Sequence, residues 1–380
     1  MRKKAWLGLL LLLVATAFVV AVTPKPTEST SRPVRIGALL PLTGDAKIYG
    51  EEMQKGVELA LTLYSNARSK PKIELATEDD AGQARTAVSG FIKLVEVNKA
   101  IAVIGGAMSS TAMPIAPIAS SKKVVVISPA ASAPALTKAG GYAFRVWPSD
   151  TYEATMLAEL TVSKLKLKTA GIIFVNNDYG KGASEIFSRQ FQKSGGSILL
   201  NEGYQQNSTD FRTILIKARS LKPEAIYIPG YYKELANLIK QATELGIKTQ
   251  FLGGVGFQEP SLLKLVGAAA EGTIYTTPYY EPKAGDHETK VFVDTYMKTY
   301  SQEPGISAAH SYDATRVLLA AISKSDADAT GPSVREALLR TRDFPGVAGT
   351  ITFDDKGDVI KPVAFHIVRK GKFQPFETDK

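Results

Sequence analysis

The sequence predicts an α/β protein built as two doubly wound parallel-sheet lobes. Three observations carry that expectation. From Val34 onward, short apolar runs alternate with segments of helical periodicity, and parallel neighbours need a crossover connection, usually a helix. The alternation comes in two series, separated by "YAFRVWPSD" at 142–150. A chain of 380 residues also exceeds what one hydrophobic core usually supports.

The elements follow in order. "VRIGALLP" (34–41) reads as a buried strand, and Met53, Val57, Ala60, Leu61 and Tyr64 then share one helical face. "KIELATED" (72–79) is followed by a helix over 83–97, "AIAVIGG" (100–106) by one over 110–121, and "KVVVISP" (123–129) closes the first series. The second series runs helix 151–166, strand "TAGIIFV", helix 180–194, strand "SILLNEGY", helix 210–219 and strand "EAIYIPG". A helix with Leu235, Leu238, Ile239, Ala242 and Leu245 on one face comes next, and strands "TQFLGG" and "GTIYTTP" end the series. Residues 287–342 read as purely helical, and 350–380 as a strand pair, "GTITFDD" and "PVAFHIVRKGKF", around the turn "DKGD". No clear internal sequence repeat appears.

The N-terminus has the layout of an export signal. "MRKK" is followed by Ala5–Val22, eighteen residues without a charge, and then by the polar, proline-containing "TPKPTESTSRP". Eighteen helical residues span roughly 27 Å, nearly a bilayer core, so residues 1–23 read as a signal peptide or an N-terminal anchor and 24–33 as a linker. Without Arg2, Lys3 and Lys4 of that segment, 43 basic residues face 37 acidic ones, a net charge of +6. The basic residues are scattered among acids with no aromatic interleaving, so no nucleic-acid partner is expected.

The candidate site lies where "VIGGAMSSTAMPIAP" (103–117) turns from strand to helix. In open parallel sheets ligands bind beyond the carboxyl ends of strands, and the free N–H groups of a helix start attract an anion. Gly105 and Gly106 let backbone approach a ligand closely, and Ser109, Ser110 and Thr111 add hydroxyl donors. The next strand ends alike, in "VISPAASAPALT", which supplies Ser128, Ser132 and unpaired backbone groups. Either segment alone also reads as an ordinary helix cap. Together they suggest an uncharged cradle for a carboxylate. Tyr49, Tyr179 and Tyr231 each follow a strand end, where a tyrosine offers a flat apolar wall and a hydroxyl; Trp147 and Phe257 are candidates to extend that wall.

Enzyme signatures are missing. There is no cysteine, G-x-G-x-x-G, P-loop or G-x-S-x-G, and His287, His310 and His366 lie far apart. Asp79–Asp80 and Asp354–Asp355 sit where acids commonly cap or bend backbone. The chain is therefore expected to be no enzyme and to hold no cofactor or metal.

"IGALLPLTGDAKIYG", "EDDAGQARTAV", "VIGGAMSSTAMPIAP", "VVVISPAASAPALT", "FRVWPSDTYEA", "NNDYGKGAS", "IPGYYKELANLIKQATELG" and "FDDKGD" together resemble the leucine/isoleucine/valine-binding proteins, solute receptors of ABC transporters with the type I periplasmic-binding fold. The resemblance runs in order from about Val34 to Phe373. It implies a three-crossover hinge near Pro148, Thr277 and Thr350, with lobe one at 34–147 plus 278–349 and lobe two at 148–277 plus 350–380. It further implies that Ser109, Ala130 and Ser132 take a ligand carboxylate beside Ser110, that Tyr49 lines the same lobe, and that Tyr179 and Tyr231 approach from the other. The implied partners are a small carboxylate ligand, most simply a branched-chain or related amino acid, and the membrane permease of an ABC transporter. The implied protein is a periplasmic or otherwise extracytoplasmic monomer, with a membrane-anchored sensory receptor of the same fold as the alternative role if Ala5–Val22 stays attached.

One position departs from the family pattern. Amino-acid binders usually carry an acid in the loop after the strand equivalent to "TQFLGG", whereas this chain has Val255. A buried ammonium without a counter-charge costs several kcal/mol. A carboxylate lacking an ammonium, such as an aromatic or aliphatic acid, is therefore the alternative ligand unless Asp178, Glu259 or Asp80 compensates.

Overall fold

The computed structural model describes residues 32–66, 71–325 and 329–377, so the expected signal or anchor at 1–23 lies outside the described residues. The first sheet holds β1 (Val34–Leu40), β2 (Ile73–Asp79), β3 (Ala102–Gly105), β4 (Val125–Ser128) and β5 (Ala143–Arg145), all parallel, in the order β2-β1-β3-β4-β5. Helices α1 (Lys47–Ser65), α2 (Ala84–Glu96) and α3 (Ser109–Lys122) make its crossovers. β3 and β4 are buried along their whole length, as strands covered on both faces must be.

The second lobe repeats the plan. α4 (Asp150–Ser163) leads into β6 (Thr169–Val175), α5 (Asp178–Lys193), β7 (Ser197–Tyr204), α6 (Arg212–Leu221), β8 (Ala225–Ile228), α7 (Tyr232–Glu244), β9 (Gln250–Gly253), α8 (Pro260–Val266) and β10 (Ile274–Pro278). These strands lie in the order β7-β6-β8-β9-β10, which is the order of the first sheet in another series of the chain. The chain then returns as α9 (His287–Tyr300), α10 (Ile306–Lys324) and α11 (Gly331–Leu339). Val317, Leu318 and Ile322 of α10 pack with Ile36, Ile104 and Ile127 of the first sheet.

Two expectations differ from the structure. The tail 142–150 was expected only to separate the series, yet Ala143–Arg145 forms β5 and pairs with β4. Three residues ending in a charge carry no strand signal of their own; Arg145 is buried because its guanidinium meets the Asp358 carboxylate at 2.7 Å. The expected strand pair around "DKGD" does not form. Ile351, Phe353 and Val359 make only isolated bridges and bury their side chains in the first lobe, with Phe353 edge-on to Phe144 at 5.3 Å. The hairpin is instead β11 (Val363–Arg369) with β12 (Lys372–Pro375), antiparallel on the edge of β10. Its two-residue turn puts Lys370 at φ 54° and Gly371 at φ 64°, the twist-matched kind. Residues 350–380 were thus expected to join the second lobe as one piece, whereas 351–359 pack on the first and only 363–375 pair with the second sheet.

Candidate functional site

Because both sheets share one strand order, each has its crevice beyond the carboxyl ends of its strands, where the order switches. The two crevices face one cavity of about 400 Å³. From the first lobe, Tyr49, Ser109, Ala130 and Ser132 line it; from the second, Tyr179, Tyr231 and Val255. Ser110, grouped with Ser109 by the sequence, does not line it, and its hydroxyl is buried without a partner among the described residues. One helical step from Ser109 carries the side chain off the cavity face.

The cradle is tied together across strand ends. Ser128 Oγ donates to Gly106 O (2.6 Å) and accepts from Ala131 N (2.9 Å), which fixes the loop after β4 against the loop after β3. Ser109 Oγ accepts from Ala133 N (3.1 Å) and keeps its own proton free. Ser132 Oγ donates to Asp150 Oδ2 (2.9 Å). The glycines have a different task from the one expected. A Cβ on Gly105 would overlap Leu39 O of β1, and one on Gly106, at φ +64°, would meet Ala112 Cα of α3 at 2.9 Å. They permit strand and helix packing, not ligand approach.

Aromatic contacts show the lobes shut upon each other. Tyr49 of α1 meets Tyr232 of α7 edge-on at 5.9 Å, and Lys233 pairs with Asp45 across the same gap. Tyr179 and Tyr231 lie side by side at 5.7 Å, and Asn177 Nδ2 donates to the Tyr231 hydroxyl (3.3 Å). Burial pushes both phenols up, so they remain neutral. Trp147 lines the cavity, whereas Phe257 is core, stacked on Tyr275 at 6.3 Å. Gly182 of α5 abuts Pro134 of the first lobe, where an added Cβ would sit 2.7 Å from Pro134 Cδ. Gly182→Ala is expected to open this contact and weaken ligand affinity about tenfold while leaving the melting temperature of the empty protein nearly unchanged; titration calorimetry and a melt check it.

Acids, of which the sequence had pointed to Glu259 alone, change the chemistry of the site. Among the described residues, five carboxyl residues line the cavity, Glu52, Asp150, Glu153, Glu259 and Glu303, and no lysine, arginine or histidine does. Asp150 and Glu153 are only 4% and 5% exposed. Burial raises the Asp150 carboxyl well above its ordinary range, against the Ser132 hydrogen bond and the charge of Arg145. Burial also raises Glu153, and the neighbouring charge of Asp150 adds to it. Glu52 is pushed to about 7 by burial and by Glu259. Asp150 and Glu153 follow Ser149, an N-cap whose Oγ accepts from Thr151 N, so in sequence they read as ordinary first-turn acids of α4. Asp80 and Asp178 do not line the cavity. Asp80 instead holds the loop through Gly82 N (2.8 Å), and Asp79 holds it through Leu42 N and Ala81 N.

Among the described residues no three potential ligands gather to hold a metal ion. His310 is fully buried against Trp147 at 4.5 Å, and Asp313 accepts from Val347 N and Ala348 N, so neither offers general acid–base chemistry to the cavity.

The chain matches a family model described as "Periplasmic binding protein" over residues 33–372. It is 28% identical over 335 residues to the Leu/Ile/Val-binding protein of Escherichia coli, covering 86% of this chain and 88% of that one. A leucine-binding protein of Thermotoga maritima superposes with a TM-score of 0.85 at 32% identity, covering 90% of this chain and 98% of its own. A branched-chain amino acid transporter substrate-binding protein of Streptococcus pneumoniae, solved with isoleucine, gives 0.82 at 27% identity over 90% of this chain and 98% of its own. With its two parallel-sheet lobes and its enclosed cleft, the chain belongs to the periplasmic binding protein family.

Proposed function

We propose that this protein is the extracytoplasmic solute-binding component of an ABC transporter, a binder and not an enzyme, and that it captures a branched-chain or related α-amino acid for delivery to a membrane permease. One observation carries the choice of ligand: neutral donors stand beside a wall of carboxylates that contains no cation. A zwitterion fits both halves. Its carboxylate takes the Ser109 hydroxyl and the free N–H groups at the start of α3, and its ammonium takes Asp150, whose Oδ1 has no hydrogen-bond partner among the described residues. Val255 then serves as apolar wall, and the counter-charge it lacks comes from Asp150. An acid without an ammonium would meet five carboxyl groups and no positive charge.

Capture works by closure. Contacts to both lobes exist together only in the shut arrangement, so a ligand that makes them shifts the population towards it. The three connections, at 145–150, after β10 and at 360–362, act as the hinge. Export through the N-terminal segment and action as a monomer complete the reading.

A thermal-shift comparison tests it. L-leucine, L-isoleucine or L-valine at about 100 times its Kd is expected to stabilise the protein by about 2.7 kcal/mol, and isocaproate and benzoate are expected to leave the melt unmoved. Stabilisation by the deaminated acids alone would favour the ammonium-free ligand and overturn the amino-acid reading.

A further inference from the structure

Glu153 holds a place that the cleft alone does not explain. Its carboxyl lines the cavity, yet both oxygens are engaged behind it: Trp147 Nε1 donates to Oε1 (3.2 Å) and Thr276 Oγ1 donates to Oε2 (3.2 Å). Trp147 belongs to the first connection between the lobes, and Thr276 lies in β10, which feeds the second. The Trp147 ring rests on His310 of α10, whose Nδ1 donates to Ile306 O (3.0 Å). The fully buried Lys361, in the third connection, lies 3.9 Å from Asp313 Oδ2 on the same helix. All three connections therefore meet around one buried polar line that begins in the ligand cavity at Glu153.

We propose that Glu153 is the positioning residue through which ligand occupancy stiffens the hinge, its carboxylate gripping two interlobe connections once the ligand's ammonium relieves it of its like-charged neighbour Asp150. The proposal rests on the amino-acid reading above. Asp150 and Glu153 stand three residues apart on one helical turn. Two buried carboxylates at that spacing, in a cavity lined by no cation, hold a proton between them when the cleft is empty. The surrounding groups offer no substitute. Tyr179, Tyr227 and Tyr231 face the pair as neutral phenols, because burial raises all three. His310, behind Trp147, is kept neutral by burial and by the charge of Lys361. Arg145 acts on Asp150 but is committed to Asp358, and Lys361, 3.9 Å from Asp313, is not among the charges that act on the pair.

An arriving ammonium supplies the missing positive charge. One carboxyl O–H bond of the pair breaks, its proton leaves to solvent, and Glu153 becomes a full anion. The hydrogen bonds from Trp147 and Thr276 then become charge-assisted and about twice as strong. In this way the charge of the ligand is converted into a firmer hinge.

Titration calorimetry of the protein with L-leucine, run at about pH 7 in phosphate and again in Tris, tests the idea. Leucine binding is expected to release protons, seen as a heat that differs between the two buffers, and to tighten as pH rises by at most about tenfold per unit. Glu153→Gln is expected to remove both effects. Its amide oxygen still accepts from Trp147 and its amide nitrogen can donate to the Thr276 hydroxyl, so the hinge bonds persist without the titrating proton. Apart from Trp6, Trp147 is the chain's one tryptophan, so its indole N–H resonance reports on the same bond. That resonance is expected to shift on leucine binding in the wild type and to shift much less in Glu153→Gln.

Leucine bound with equal heat in both buffers overturns the proposal and leaves the amino-acid reading standing. An undiminished proton release in Glu153→Gln overturns it too. Failure of leucine to bind overturns the amino-acid reading and this inference with it. Should Glu153→Gln not fold, the wild-type buffer comparison still decides, and Thr276→Val is expected to weaken leucine binding about threefold while leaving proton release in place.

Discussion

The double variant Ser109→Ala, Ser132→Ala is expected to weaken L-leucine binding by about a hundredfold or more. Each hydroxyl sits on the cavity wall of the first lobe, one at the start of α3 and one after β4. A hydrogen bond to a charged group contributes about 1.5–3 kcal/mol; the variant loses one from Ser109 to the ligand carboxylate and one from Ser132 to Asp150, the acid that meets the ammonium, together about 3–6 kcal/mol, or roughly 10²–10⁴ in Kd. Ser132→Ala acts through Asp150, because it strips Oδ2 of its donor and makes that acid harder to ionise. The free protein should lose about 2 kcal/mol, since two internal hydrogen bonds go, Ala133 N to Ser109 and Ser132 to Asp150. Ser110→Ala, by contrast, should stay within about twofold of wild-type affinity, because its hydroxyl does not reach the cavity. Titration calorimetry on the three proteins measures both statements. Unchanged affinity in the double variant would remove the cradle from the mechanism.

Arg145→Met is expected to cost about 3 kcal/mol or more of unfolding free energy. Arg145 is 1% exposed and binds Asp358 through Nε (2.7 Å) and Nη2 (2.8 Å), while Nη1 donates to Ala133 O (2.9 Å). Removing the cation strands a carboxylate that is 18% exposed and loosens the segment 351–359, which carries Asp358, from β5. The pair also fixes Ala133, which neighbours Ser132, so leucine affinity should fall as well. Arg145→Met with Asp358→Leu should recover much of the loss, because replacing both partners by apolar groups is far less harmful than removing one. Urea melts of wild type, both single variants and the double variant form the cycle that checks this. Additive losses would mean that the two residues act separately.

The strand ends were legible because they depend on local pattern. "AVIGG" and "VVVIS" are continuous apolar runs followed by small polar residues, and both became buried strands that deliver Ser109 and Ser132 to one place. The tyrosines at 49, 179 and 231 were legible by the same rule, each standing one short loop beyond a strand. β5 and the segment 351–359 were not. Neither has a pattern of its own, and each is held by long-range partners: Phe144 by Phe353, and Arg145 by Asp358. Asp150 and Glu153 stayed hidden for another reason. A serine followed by acids is what any helix start looks like, and only the second lobe, folded over the first, turns that helix start into a cavity wall.

By itself, the sequence determined the two parallel sheets, their helices and the serine-bearing strand ends, because hydrophobic period, caps and strand termination act within a dozen residues. Tertiary structure alone decided the charge of the cleft and the wiring of its hinge. Burial and proximity set which acids face the ligand and how they hold their protons, and those depend on groups brought from 123 residues apart, as Glu153 and Thr276 are.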